Sequence, residues 1–259
     1  MGLTSLQAQQ PQVAPADGAR SRACPACGRT TAHAFRFRIN GCDILQCGEC
    51  GLGRTDTAAF DPAAYYTEDY FSGRRAYGFF LNAAARYFDV AGIELAQEAA
   101  AHGRHAGLNV LQGTADAANL QRIGKVDVIV LFDVIEHLPQ PRETLALCRD
   151  HLNGGGIIVI TTGDFGSPAA RLTGARWRLM TPPQHLWFFT QPSMRRLSSA
   201  LGLSLEHLDH PWKIVPASLI AFQLRRMLGL VGERVTTASR IGVPVNLFDA
   251  MRVVLRKPG

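Results

Sequence analysis

Four cysteines in two pairs, Cys24-Pro25-Ala26-Cys27 and Cys47-Gly48-Glu49-Cys50, are the residues whose types and spacing speak most directly of chemistry. Two intervening residues let both thiolates of a pair converge on one ion, and the glycine after each pair, Gly28 and Gly51, relaxes the turn. Nineteen residues separate the pairs, a zinc-ribbon spacing, so Cys24, Cys27, Cys47 and Cys50 are read as metal ligands. Four thiolates leave no open coordination position, which makes the expected zinc structural. The competing reading is a pair of disulfides, which would need an export route that the first residues do not signal. Cys42 and Cys148 read as small buried apolar residues.

A second group of chemistry-bearing residues is acidic. Glu94 follows the short strand-like segment Asp89–Ile93, and Phe132-Asp133-Val134-Ile135-Glu136-His137 follows the largely apolar strand-like run Val126–Leu131. A carboxylate at the end of a buried strand can accept the hydroxyls of a ribose; the bland alternative for Glu94 is a solvated side chain leading into a helix. Three ionisable groups just past a buried strand are poorly explained by packing alone. His137 is a candidate general base, with Glu136 orienting its ring or raising its basicity. Alternatively Asp133, Glu136 and His137 hold a divalent cation, or His137 merely caps a turn beside a solvated Glu136. His185 is a weaker candidate, read first as a structural histidine.

The elements that must carry these residues alternate between helical and strand periods from about Tyr77 onward, the mark of an α/β fold with a parallel sheet. Helices are expected over Phe79–Phe88, Ala96–His105 and Arg142–Leu152. Strands are expected over Asp89–Ile93, Asn109–Leu111, Val126–Phe132 and Ile157–Thr161, the last entered through the turn Asn153-Gly154-Gly155-Gly156. Between the cysteine pairs, His33–Ile39 and Asp43–Gln46 read as ribbon strands.

In order along the chain, Gly78-Phe79-Phe80-Leu81, Val90–Glu94, Val126–Ile129, Asp133–His137 and Gly154–Gly156 resemble the landmarks of class I S-adenosylmethionine-dependent methyltransferases. The likeness is closest to members bearing an N-terminal zinc ribbon, and the Glu-His pair resembles that of the ubiquinone-pathway O-methyltransferases. The resemblance implies a Rossmann-like sheet, S-adenosylmethionine as cofactor, and methyl transfer to a small-molecule acceptor such as a saccharide, a quinone-like ring or a lipid precursor. It implies cofactor contacts from Gly78, Glu94 and Leu95, from Thr114, Ala115 and Asp116 near the adenine, and from Phe132 and Asp133. It further assigns Thr181–Thr190 to a segment closing over the substrate and Met251–Leu255 to a final antiparallel strand.

One landmark is missing. Family members open with a buried strand and a glycine-rich loop, yet only Ser72-Gly73-Arg74-Arg75-Ala76-Tyr77 lie between Phe71 and Gly78. The expected sheet is therefore reduced: either the strands ending at Glu94 and Phe132 pair directly, or a vacancy of about 4.8 Å per absent strand must be filled from elsewhere. A catalytically dead descendant is one rival reading. A zinc-ribbon RNA methyltransferase or RNA-binding protein is another, permitted by a net charge of +6. The organisation expected is a disordered leader at 1–20, a ribbon at 21–56, a linker and truncated helical segment at 57–77, and a methyltransferase-like domain at 78–259. No apolar stretch reaches the length of a membrane span, so a cytoplasmic protein is expected. Trp212–Leu230, an apolar helix flanked by Arg225 and Arg226, reads as a lid or as a peripheral membrane contact.

Overall fold

The computed structural model describes residues 19–57, 79–218, 220–221 and 241–259. The N-terminal ribbon is an antiparallel meander of β1 (Arg20–Cys24), β2 (Arg29–Ile39), β3 (Cys42–Cys47) and β4 (Gly53–Asp56). Period-two patterning builds it: on β2, Thr31 and His33 point inward while Thr30, Ala32 and Ala34 face solvent. Arg20 belongs to β1, which shortens the expected leader; residues 1–18 lie outside the described residues.

The larger part begins with α1 (Phe79–Ala84), which ends four residues before the expected boundary as the chain turns at Ala85–Tyr87. Then follow β5 (Ala91–Glu94), α2 (Gln97–His105), β6 (Asn109–Gln112), α3 (Ala117–Ile123), β7 (Val126–Phe132), α4 (Pro141–His151), β8 (Leu152–Gly163), α5 (Pro168–Thr173), β9 (Trp187–Phe188), α6 (Gln191–Ala200), β10 (Ser204–Asp209), β11 (Lys213–Pro216), β12 (Gly242–Val245) and β13 (Ala250–Arg256). α4 starts with Pro141 at its first turn and buries Pro141, Leu145 and Cys148 along one stripe. Gly155, at φ +76°, lets Asn153–Gly156 bulge out of the β7–β8 ladder, so the expected turn lies inside β8. Ile214-Val215-Pro216 is strand, not helix, because it pairs with Val243–Gly242 and Pro244 on β12; the remainder of the expected apolar helix, 222–230, lies outside the described residues.

The parallel sheet is in two pieces. β10, β13, β8 and β7 form one sheet in that order, with β7 and β8 parallel and β13 antiparallel to β8, as the final strand was expected to be. β5 and β6 pair in parallel as a separate two-stranded sheet. Among the described residues β5 and β7 share no ladder, so they do not pair directly. The consequence is visible on β7, where Val128 is 47% and Phe132 42% exposed, although a parallel strand is ordinarily covered on both faces. α1 spans the two pieces: the Phe80 ring meets that of Phe132 edge-on at 5.0 Å, and Leu81 packs against Gly92 of β5.

The ribbon and the larger sheet are joined. β4 pairs with β9, making the ribbon a five-stranded sheet. One core runs from Cys24, Ala26, Cys47, Cys50 and Leu52 through Leu131, Ile135 and Leu145 to Phe189, Met194 and Met251. A second packs Ile44 of the ribbon with Phe165, Trp177, Met180 and Phe188. No helix among the described residues is long and apolar enough to cross a membrane.

Candidate functional site

Each cysteine knuckle is closed by its glycine: Gly28 N donates to Cys24 O (2.8 Å) and Gly51 N to Cys47 O (3.0 Å), with Gly28 and Gly51 at φ +69° and +73°. One sulfur of each of the four cysteines lies within 4.8 Å of the others. The Sγ separations of 3.6 Å (Cys24 to Cys50) and 3.8 Å (Cys27 to Cys47) match the ~3.8 Å edge of a tetrahedron built on Zn–S bonds of about 2.3 Å. All four are free thiols, and the cluster fits a structural zinc. Thr31 Oγ1, 3.2 Å from Cys47 Sγ, supports the ligand from outside.

At the carboxyl end of β7, Asp133 adopts φ +52°, a conformation that L residues rarely take outside functional turns. Its amide donates to Thr161 O (3.0 Å), and Thr161 Oγ1 donates to Asp133 Oδ1 (3.1 Å). This turn throws Ile135–His137 into a single 3₁₀ turn whose first two residues are buried. Glu136 is only 3% exposed, and its Oε2 has no hydrogen-bond partner. Burial pushes its carboxyl up to about 7. His137 Nδ1 lies 2.8 Å from Gln184 O, and burial lowers its basicity. A ring nitrogen bonded to a carbonyl must carry the proton, so this contact selects the tautomer with the lone pair on Nε2.

His185, discounted in the sequence, stands beside His137 with ring centroids 4.7 Å apart and planes at 78°. Its Nδ1 lies 2.8 Å from Leu179 O, and burial together with the charge of His137 pushes it down to about 4. Glu136, His137 and His185 each offer a ligand atom within 4.8 Å of the others. The cation set expected from the sequence, Asp133 with Glu136 and His137, is thereby altered: Asp133 points to Thr161 and His185 takes the third place. The ribbon fixes this cluster from behind. Leu186 N donates to Glu136 O (2.9 Å), Thr55 N to Leu186 O (2.9 Å), Thr55 Oγ1 to His185 O (2.6 Å) and Trp187 Nε1 to Leu138 O (2.8 Å).

The other sequence candidates sit in the second piece of the sheet. Glu94 ends β5 half-buried, and its Oε1 accepts the Ala96 amide (2.9 Å); Leu95 beside it is 36% exposed. Asp116 caps α3, accepting Asn119 N (2.9 Å) on Oδ1 and Thr114 Oγ1 (2.9 Å) on Oδ2, which gives it a local role whatever else it meets. Ala115, half-buried, lies between them. Gly78 lies outside the described residues. One buried acid escaped sequence reading: Asp164, just past β8, accepts Gly166 N (2.9 Å) and Gln191 Nε2 (3.1 Å) and meets His210 Nε2 at 3.0 Å. Its signal was its place, one residue past a strand end, as Asp133 is past β7.

Comparison with known proteins fits this arrangement. A family model described as a methyltransferase domain matches residues 71–208, more than half of the chain. A ubiquinone biosynthesis O-methyltransferase of Cereibacter sphaeroides is 30% identical over 126 residues, covering 44% of this chain and 51% of that protein. Its counterpart in Shewanella pealeana is 28% identical over 80 residues, 29% of this chain and 34% of that protein. The chain thus spans about half the length, or less, of these relatives. The structure of an S-adenosylmethionine-dependent methyltransferase from Clostridium acetobutylicum superposes at a TM-score of 0.43 with 10% identity, covering 70% of this chain and 79% of that one. With the ordered strands, the carboxyl-edge acids and the matched domain together, the chain belongs to the class I S-adenosylmethionine-dependent methyltransferase family.

Proposed function

We propose that the protein methylates a small-molecule acceptor, a saccharide, quinone-like ring or lipid precursor, with His137 as general base. S-adenosylmethionine supplies an electrophilic methyl group on a sulfonium, so the protein's share of the work is alignment and removal of the acceptor's proton. The nucleoside half of the cofactor fits what the chain offers: Glu94, with Leu95 beside it, stands at the carboxyl end of a parallel strand, and Phe132 and Asp133 stand at the carboxyl end of β7. The methionine half lacks the family's glycine-rich loop in the sequence, which predicts weakened binding rather than a different cofactor.

The observation that carries the reading is the His137–Gln184 contact. It holds Nε2 as the basic nitrogen, while burial keeps the ring neutral at pH 7 and able to take a proton. Glu136 positions it through the turn they share. Resemblance to the ubiquinone-pathway enzymes supports a hydroxylated ring as acceptor. A second reading is favoured by the orphaned Oε2 of Glu136: Glu136, His137 and His185 together hold a divalent cation, which would lower the pKa of a bound hydroxyl.

Calorimetric titration with S-adenosylhomocysteine tests the reading. Binding in the micromolar range that weakens at least tenfold in Glu94→Ala is the expected outcome. Silence from a cooperatively folded protein would overturn it and leave the catalytically dead descendant.

A further inference from the structure

The seam between the ribbon and the larger sheet holds a cleft of about 700 Å³, within the size range of small-molecule sites. Its walls include Arg36 and Phe37 of β2, Asp164 and Phe165 past β8, Arg171 of α5 and Gln191 at the start of α6. Arg36 and Phe37 are consecutive on a strand, and a regular strand sends consecutive side chains to opposite faces. Both reach the cleft because β2 carries a bulge there: Phe35 pairs with Leu45 and Phe37 with Ile44, leaving Arg36 as the extra residue. Bulges re-aim side chains and gather beside functional sites.

The charges around the cleft are unevenly satisfied. Glu49 on its rim is bracketed by Arg29 (2.8 Å) and Arg196 (3.1 Å). The Asp164 carboxylate is occupied by Gly166 N, Gln191 Nε2 and His210. Arg38, two residues from Arg36, pairs with Asp43. Arg36 and Arg171, by contrast, have no carboxylate within ion-pair distance among the described residues; Arg36 only lies over the Phe37 ring at 5.8 Å. The cleft is therefore bordered by two guanidiniums that no carboxylate among the described residues pairs, and the amino end of α6 adds a positive dipole.

We propose that this cleft binds the phosphate end of a small molecule, a phosphomonoester or diphosphate, through Arg36 and Arg171. Guanidinium forks match phosphate oxygens in geometry and charge, and Phe37 and Phe165 give the organic portion an apolar wall. The inference rests on the methyl-transfer reading only in that the phosphate-bearing molecule would be the acceptor. Anion binding itself can be measured without any reaction.

Isothermal titration of the full, zinc-loaded chain with inorganic pyrophosphate is the test. Saturable binding is expected, weakened about tenfold or more by Arg36→Ala and by Arg171→Ala, largely retained in Arg36→Lys, and unchanged in Arg38→Ala. Absence of saturable binding by the folded parent would overturn the proposal. So would an equal loss in Arg38→Ala, which would mark a mere effect of net charge. Vesicles containing phosphatidic acid distinguish a lipid headgroup from a free phosphate compound: association with them in the absence of pyrophosphate binding would also overturn the proposal. Pyrophosphate binding without S-adenosylhomocysteine binding removes only the methyl-transfer reading, and the reverse removes only the cleft.

Discussion

The two parallel strand pairs of the broken sheet differ in their surroundings. β8 has a neighbour on each edge, and Ile158 and Ile160 are fully buried in the core that also holds Leu145 of α4 and the ribbon's Leu52. Among the described residues β5 and β6 pair only with each other: every residue of β5 is half-buried, and Val110 is the one buried residue of β6. A parallel strand is stabilised by cover on both faces and by ladders on both edges. The pair with ladders on both sides of β8 is accordingly better buried than the pair without them. The cluster at Glu136 stands on the compact pair, and Glu94 stands on the weaker one.

The largest effect that would sharpen this contrast comes from removing the ribbon's ion. Metal binding to four thiolates contributes roughly 10 kcal/mol or more to folding. Chelation should therefore strip hydrogen-exchange protection from the Thr55 and Leu186 amides, which link the ribbon to Glu136, and leave the β5–β6 amides as they were. Retained protection at Leu186 would show that the compact half stands without the ribbon. A smaller effect separates the two pairs directly. Leu145→Ala, at a fully buried site, should cost about 3 to 4 kcal/mol in urea unfolding, and Val110→Ala, 8% exposed, about 1 to 2. Equal losses would erase the distinction.

The third is a pH effect at Glu136. Burial raises its folded-state value from 4.5 to about 7, so folding is favoured while the carboxyl is protonated. That contribution is complete below pH 4.5 and is lost as pH rises through 7. His185, pushed from 6.5 down to about 4, acts in the opposite sense and costs stability as pH falls through that range. Comparing Glu136→Gln with the parent isolates the first group. The variant should gain roughly 3 kcal/mol on the parent between pH 4.5 and 7 in metal-free protein. Added divalent cation should cancel that gain if it binds Glu136, His137 and His185. A pH-independent difference without metal would mean that water reaches the carboxylate.

Much of the scaffold was legible because its signals are local. Val126–Phe132, apolar except for Asp127, forms a strand over those residues; the helix expected at Ala96–His105 starts one residue later. The site was legible only in part. Glu136 and His137 are adjacent in the chain, so their shared turn could be anticipated from the strand before them. His185 lies far along the chain from His137 and carries no pattern of its own, and it was read as a structural histidine. Asp116 shows another limit: the resemblance places it near the adenine, and the structure adds a local role, the N-cap of a helix that the periodicity did not mark.

The sequence by itself determined the four-cysteine knuckles, the order of the strands ending at Glu94, Phe132 and Gly163, the acids at the first two of those ends and the lack of a glycine-rich loop before Gly78. Chelation by Cys-x-x-Cys needs only the geometry of one turn, and periodicity records which face of an element is apolar. Only the tertiary structure decided that the sheet splits between β5 and β7, that the ribbon shares its core with the larger domain through β9, and that His185 completes the cluster at Glu136. The bulge that turns Arg36 toward Phe37 was decided there too. These outcomes depend on which apolar faces meet and on the register of strands distant in the chain, and hydrophobic patterning says that a face must be covered without naming what covers it.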